Sequence, residues 1–134
     1  REDKFTRYLA GCAKNDAEAE LFHPFYRAII HRDDVVCGVL ALAQQWGDTP
    51  ESIINFGGPQ VLSRVEFVEC LRANHLKNLR FQVTQPDSNF FINRPRVIAM
   101  TSPVLARLLG RIPHSLGEAA RLDSALSLNI KEEL

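Results

Sequence analysis

Ile53-Ile54-Asn55-Phe56-Gly57-Gly58-Pro59, followed by Leu62-Ser63-Arg64-Val65-Glu66-Phe67, is the stretch on which the reading of the fold turns. The apolar run over residues 52–56 reads as a buried strand, stopped by Gly-Gly-Pro, whose first two residues tolerate tight turns and whose third lacks a ladder donor. Ser63-Arg64-Val65-Glu66 is a capping box: the Ser63 hydroxyl can accept from the Glu66 amide while the Glu66 carboxylate reaches back to the Ser63 amide. Leu62 before the box and Phe67 after it are placed for a hydrophobic staple. A helix is therefore expected from Ser63 to about residue 74. A strand, a break and a capped helix in so short a span point to an α/β class.

The same alternation continues on both sides. Upstream, residues 1–15 read as an amphipathic helix with Phe5, Leu9 and Cys12 on one stripe, and residues 18–22 as a strand. Residues 23–30, with Pro24, Phe25 and Tyr26, read as an ordered loop. Residues 32–46 read as a buried helix. Val36, Val39, Leu40 and Ala43 follow the i, i+3, i+4, i+7 pattern, and Asp33 and Asp34 sit in the first turn where the helix dipole favours them. Residues 47–50, Gly-Asp-Thr-Pro, end it. Downstream, residues 79–84 alternate Leu79, Phe81 and Val83 against polar neighbours, the period of a half-buried strand. Residues 85–96 form a polar loop around Phe90, Phe91 and Arg94-Pro95-Arg96, and residues 97–100 a short apolar segment. Ser102-Pro103 starts another helix and Gly110 ends it in a left-handed cap. Ser115-Leu116-Gly117-Glu118 is a second capping box.

Composition narrows the function. The 134 residues are 46% apolar and 24% charged, a globular composition long enough to bury roughly two-thirds of the unfolded surface. Sixteen Lys and Arg balance sixteen Asp and Glu, which argues against a nucleic-acid binder. The longest apolar run, residues 35–43, falls far short of the roughly 20 needed to span a bilayer, and no secretory leader is visible. A cytoplasmic location is the expectation. Lys131-Glu132-Glu133-Leu134 resembles an endoplasmic-reticulum retention signal, a weaker alternative that an ordinary charged helix end also explains. Cys12, Cys37 and Cys70 have no metal spacing and read as reduced thiols. The chain starts at Arg1 rather than Met, and the expectation is a processed or truncated piece of a longer polypeptide.

Several chemistries lack their motif. There is no Gly-x-Gly-x-x-Gly, Walker loop, Cys-x-x-Cys, His-Glu-x-x-His or nucleophile elbow. Gly57-Gly58 has the wrong spacing for a phosphate cradle and reads as a strand-to-loop turn. His23, His31, His75 and His114 are scattered, so no metal is expected. Asp33 and Asp34 lie about 100° apart on a helix and do not form an acid pair. Two arginines in aromatic settings remain: Phe22-His23-Pro24-Phe25-Tyr26-Arg27 and Phe90-Phe91-Ile92-Asn93-Arg94. A guanidinium fork suits phosphate and neighbouring rings suit a base. A surface loop anchored by buried Phe residues is the plainer reading, and the residues alone favour it.

The order Tyr26-Arg27-Ala28-Ile29-Ile30-His31-Arg32-Asp33-Asp34-Val35, then Asn55-Phe56-Gly57-Gly58-Pro59 with Ser63-Arg64-Val65-Glu66, then Arg94-Pro95-Arg96-Val97 with Met100 and Leu109-Gly110, resembles the carboxy-terminal part of extended short-chain dehydrogenases/reductases. The dTDP-4-dehydrorhamnose reductase-like branch of sugar-nucleotide enzymes is the nearest in look. The similarity runs from the first helix to about Leu122. It implies a small mixed helix-strand lobe, residues 1–134, that closes over a nucleotide-sugar. An amino-terminal Rossmann half outside this chain would bind NAD or NADP and carry the catalytic Tyr-x-x-x-Lys. Neither Tyr8 nor Tyr26 has Lys four residues on, since Cys12 and Ile30 stand there, so no catalytic residue is assigned here. The resemblance implies that Arg27 and Arg94 hold the substrate diphosphate, with Tyr26 and His23 beside them. Ala28-Ile29 and Thr101 depart from the family's usual residues, which bears on the sugar. The partners implied are the nucleotide-sugar, the Rossmann half and a possible second copy, with no nucleic acid and no membrane span. The alternative is a non-catalytic relative serving as a regulatory or scaffold subunit, because a fold does not settle function.

Overall fold

The computed structural model describes residues 3–123. In chain order the elements are α1 (Lys4–Lys14), β1 (Glu18–Phe22), β2 (Tyr26–Ala28), α2 (Arg32–Gln44), β3 (Val61–Ser63), α3 (Arg64–Asn74), β4 (Arg80–Thr84), β5 (Val97–Ile98), α4 (Pro103–Leu109) and α5 (Leu116–Leu122). Short 3-10 turns occupy Trp46–Asp48 and Ser88–Phe91. The class is α/β, with every described strand pair of known register parallel. The Lys131–Leu134 tetrapeptide lies outside the described residues. The chain divides into two compact units: residues 26–62 with 97–119 form one, and the described residues on either side of these form the other.

The first unit is built on β1 and β4, paired in parallel from Glu18 opposite Arg80 to Phe22 opposite Thr84. Along β1, Ala19 and Leu21 point inward and are fully buried. They meet Leu9 and Cys12 of α1 and Val68 and Leu71 of α3 in one apolar core. The stripe expected on α1 is thus the packed face, with Phe5 at its margin. Asp3 caps α1 by accepting from the Phe5 and Thr6 amides at 2.8 and 3.0 Å. The Ser63 box forms in full: Glu66 N donates to Ser63 Oγ at 3.1 Å, and Ser63 N donates to Glu66 Oε2 at 2.8 Å. Phe67 packs against Phe5 with ring centroids 6.0 Å apart. The alternation expected over 79–84 holds for Leu79 and Phe81 but not for Val83, which is exposed. Both helices pack on β1, and β4, at the edge of a two-stranded sheet, lacks cover over that position.

The second unit centres on β2, the middle strand of a sheet ordered β3-β2-β5. Tyr26 pairs with Val97 and Arg27 with Ile98. Residues 23–30 were expected as loop throughout, yet 26–28 are strand because their ladder partner arrives from some 70 positions away, beyond any local pattern. Residues 52–56 are irregular rather than a strand. None of them is buried, and side-chain bonds tie the end of the stretch to residues 101–102: Asn55 Nδ2 donates to the Thr101 carbonyl at 3.4 Å, and Gly57 N donates to Ser102 Oγ at 2.8 Å.

Helix α2 forms where expected, but its packed face is different. Asp34 and Gly38 are its buried residues, while Val36, Val39 and Leu40 are 52%, 53% and 59% exposed. Apolar residues stand on almost every side of this helix, so periodicity alone could not choose a face. Gly38 chooses it: a Cβ there would lie 2.5 Å from Leu105 Cδ1 and 2.6 Å from Phe56 Cε1, so α2 approaches α4 through its one residue without a side chain. The second half of the unit follows the local signals. Pro103 opens α4, Gly110 closes it at φ 66°, and the Ser115 box forms with Ser115 N donating to Glu118 Oε2 at 2.8 Å.

Candidate functional site

Arg27 and Tyr26 lie on β2 in the second unit, half-buried. The Arg27 side chain donates from Nη1 to the Tyr26 carbonyl at 2.6 Å. Burial pulls the Arg27 pKa below its ordinary value, and a guanidinium removed from water attracts an anion more strongly than an exposed one. His23 and Arg94 belong to the first unit. His23 extends β1, its amide donating to the Thr84 carbonyl at 3.0 Å, and the His23-Pro24 peptide is cis. The bonds from Ser63 hold the Glu66 carboxyl below its usual range, and the nearby His23 ring adds the smallest contribution in the same direction.

Arg94 sits just after the 3-10 turn at Ser88–Phe91, which Asp87 caps by accepting from the Phe90 amide at 3.0 Å. Its guanidinium lies over the Phe90 ring at 4.8 Å. The aromatic setting read from the sequence is real, and rings from two segments meet there: Phe22 and Phe90 stand edge to face at 4.8 Å. The plainer expectation of Phe side chains buried as anchors is met only in part. Phe25 is buried, whereas Phe22, Phe90 and Phe91 are half-buried, and all four rings have an arginine guanidinium over them.

One charged cluster was missed by the sequence reading. Asp34 is fully buried and accepts from Arg111 Nη2 at 2.6 Å, from the His114 amide at 2.7 Å and, on the same carboxylate, contacts His114 Nδ1 at 2.9 Å. Burial by itself would raise the Asp34 pKa, but the His114 and Arg111 bonds outweigh it and hold the group below its usual value. Asp34 therefore does more than favour the helix dipole: it ties the start of α2 to the segment after α4. Its partners lie 77 and 80 positions away, and no spacing in the sequence signals them.

Gly57-Gly58 is neither a cradle nor a positive-φ turn. A Cβ on Gly58 would fall 1.7 Å from the Ile29 carbonyl oxygen, so Gly58 is required by backbone packed on backbone, whereas a Cβ on Gly57 would meet the Met100 side chain at 2.5 Å. The pocket beside it, about 200 Å³ and lined by Gly57, Gly58, Pro59, Met100, Thr101 and Ser102 among others, has no charged side chain. It is smaller than the ~300 Å³ at which ligand sites begin. Among the described residues no group of three His, Cys, Asp or Glu side chains could hold a metal, and no helix is long and apolar enough to cross a membrane.

No family model matches the chain, and no curated protein matches it. Among solved structures the chain is similar to UDP-glucose 4-epimerase from Stenotrophomonas maltophila, crystallised with bound NAD and formylated UDP-arabinopyranose. The TM-score is 0.75 at 19% identity, over 99% of this chain and 42% of that one. This chain has the fold of the carboxy-terminal part of such an epimerase. It spans less than half of that protein's length.

Proposed function

We propose that this chain is the substrate-binding lobe of an NAD(P)-dependent nucleotide-sugar reductase or epimerase, with Arg27 and Arg94 each supplying a guanidinium to the substrate's phosphates and Tyr26 and His23 as further substrate contacts. The likeness over nearly the whole chain to an epimerase solved with a UDP-sugar carries this reading. The partly desolvated Arg27 and the ring-mounted Arg94 support it chemically. The residues present do not fit a dinucleotide. Gly58 of the single Gly-Gly pair is packed against the Ile29 carbonyl, and among the described residues no glycine-rich turn leads from a strand into a helix. NAD or NADP would supply hydride chemistry from a Rossmann half beyond this chain, and no chemical step is assigned to residues 1–134. Those residues bind and orient the substrate.

The test is calorimetric titration of a UDP- or dTDP-sugar into the polypeptide that carries this lobe together with its cofactor half. Arg27→Ala and Arg94→Ala should each cost roughly 1.5 to 3 kcal/mol of binding, tenfold or more in Kd, the scale of hydrogen bonds to a charged group. Arg→Lys should restore only part, since an ammonium lacks the fork. Unchanged affinity in both alanine variants would refute the phosphate role and favour a non-catalytic scaffold on the same fold.

A further inference from the structure

Five phenylalanines and three arginines share one place in the first unit. Phe90 is its hub. The Phe22 ring stands edge to face with it at 4.8 Å and 77°, Phe91 at 5.1 Å and 90°, and Phe25 lies 5.8 Å away. Behind these rings the Arg64 guanidinium sits 4.4 Å from the Phe25 centroid, 4.8 Å from Phe5 and 5.8 Å from Phe22. Arg94 lies over Phe90 at 4.8 Å and Arg96 over Phe91 at 4.4 Å. Gathering three cations costs Coulomb energy, which the ring quadrupoles offset in part.

Arg94 is held in an unusual way. Among the described residues no carboxylate pairs with it. Both contacts of its side chain with the described residues are to Phe90: the ring face, and the carbonyl, to which Nη1 donates at a long 3.5 Å. Stacking occupies the face of a guanidinium and leaves its in-plane N–H donors available. A carboxylate partner would have consumed the same fork that an anion needs.

We infer that Phe90 is a positioning residue for anion binding: it seats the Arg94 guanidinium over its ring with no carboxylate on the fork, and Phe22, Phe25 and the caged Arg64 hold Phe90 in place. This rests on the reading that Arg94 meets the substrate's phosphates. An arginine on an exposed loop loses much rotamer freedom on binding, and a preformed seat removes part of that loss before the ligand arrives.

The experiment uses the polypeptide with its cofactor half, titrated with UDP and separately with inorganic pyrophosphate at fixed salt. The variants are Phe90→Leu, Phe90→Tyr, Arg94→Ala and Phe90→Leu combined with Arg94→Ala. Phe90→Leu should weaken both ligands roughly threefold to fivefold, the scale of an exposed cation–π contact. Phe90→Tyr, which keeps a ring face, should stay within about twofold for the same reason. In the Arg94→Ala background Phe90→Leu should have no further effect, because the two act through one group. The Arg94 side-chain resonances should be shifted upfield by the ring in the unaltered protein and lose that shift in Phe90→Leu.

Equal weakening by Phe90→Leu with and without Arg94 would make Phe90 merely structural and overturn the proposal. So would full affinity in Phe90→Leu where Arg94→Ala binds weakly, or absence of the upfield shift in the unaltered protein, which needs no variant to fold. Full affinity in Arg94→Ala is a different failure: it removes the phosphate reading itself, and the seat's role with it.

Discussion

Asp34 illustrates what one buried carboxylate does in a small unit. A charge with no exposed surface is tolerable only when its lone pairs are taken, and here two backbone or side-chain donors of His114 and one of Arg111 take them. Arg111 keeps water as well, its side chain being 41% exposed, so loss of Asp34 does not strand a fully buried cation. Asp34→Asn should therefore destabilise the protein by about 2 to 3 kcal/mol at neutral pH, the scale of hydrogen bonds to a charged group. The pH dependence has a definite sign. The folded-state pKa lies below 3.8, so the unfolded chain binds the proton more readily. The stabilisation is fully present above that value and is lost as pH falls through the folded pKa. Urea unfolding of the two proteins should show a gap at neutral pH that narrows as pH falls below 3.8. A gap that widens in acid would contradict the assignment.

At the scale of elements, glycine does two kinds of packing that no strand or helix propensity describes. At Gly38 an added methyl would meet the ends of two side chains, and at Gly58 it would meet a carbonyl oxygen of the backbone. Side-chain ends can turn aside, whereas a backbone carbonyl, here that of Ile29 just after β2, can move only with the chain that carries it. Gly38→Ala gains helix propensity of about 1 kcal/mol but must displace Leu105, which is fully buried; with overpacking at about 1 to 3 kcal/mol, the net is a modest loss. Gly58→Ala should cost more, about 3 kcal/mol or above, at the top of the same range. Thermal melts of the two variants check the order, and a milder Gly58→Ala would mean that the 57–59 turn yields easily.

The same residues explain what could be read in advance. Every helix start rests on a local signal, and the Ser63 box, Pro103 and Gly110 are where the sequence places them. β2 was hidden because its partner at Val97 and Ile98 is remote, and 52–56 misled because an apolar run does not guarantee burial: Ile53 is exposed, and Ile54 and Phe56 are only half-buried. Of the candidate site, the aromatic company of Arg94 was legible from Phe90 and Phe91 beside it. Phe22, Phe25 and Arg64 were not, because only the parallel pairing of β1 with β4 brings their segments to it.

At the scale of the whole molecule the exposed face of α2 has the largest consequence. Val36, Val39 and Leu40 occupy neighbouring turns and each is more than half exposed. Single exposed apolar residues are ordinary, but a contiguous stripe on one helix marks a surface that is covered in the working protein or that finds other copies. If the substrate-lobe reading holds, a cofactor-binding half of the same polypeptide is the natural cover. The 134-residue chain by itself should then self-associate, with an apparent mass in sedimentation that rises with concentration. Val39→Lys with Leu40→Lys should abolish that rise while leaving helix content unchanged, because both positions face solvent and Lys is a good helix former. Joined to the cofactor half, the unaltered protein should lose the concentration dependence, and the same double substitution should now be harmful, weakening the packing of the two halves and lowering the melting temperature. A double substitution that is silent in both settings would show that the α2 face meets nothing. One that is silent in the isolated chain but harmful in the joined protein would keep the cover and discard the self-association.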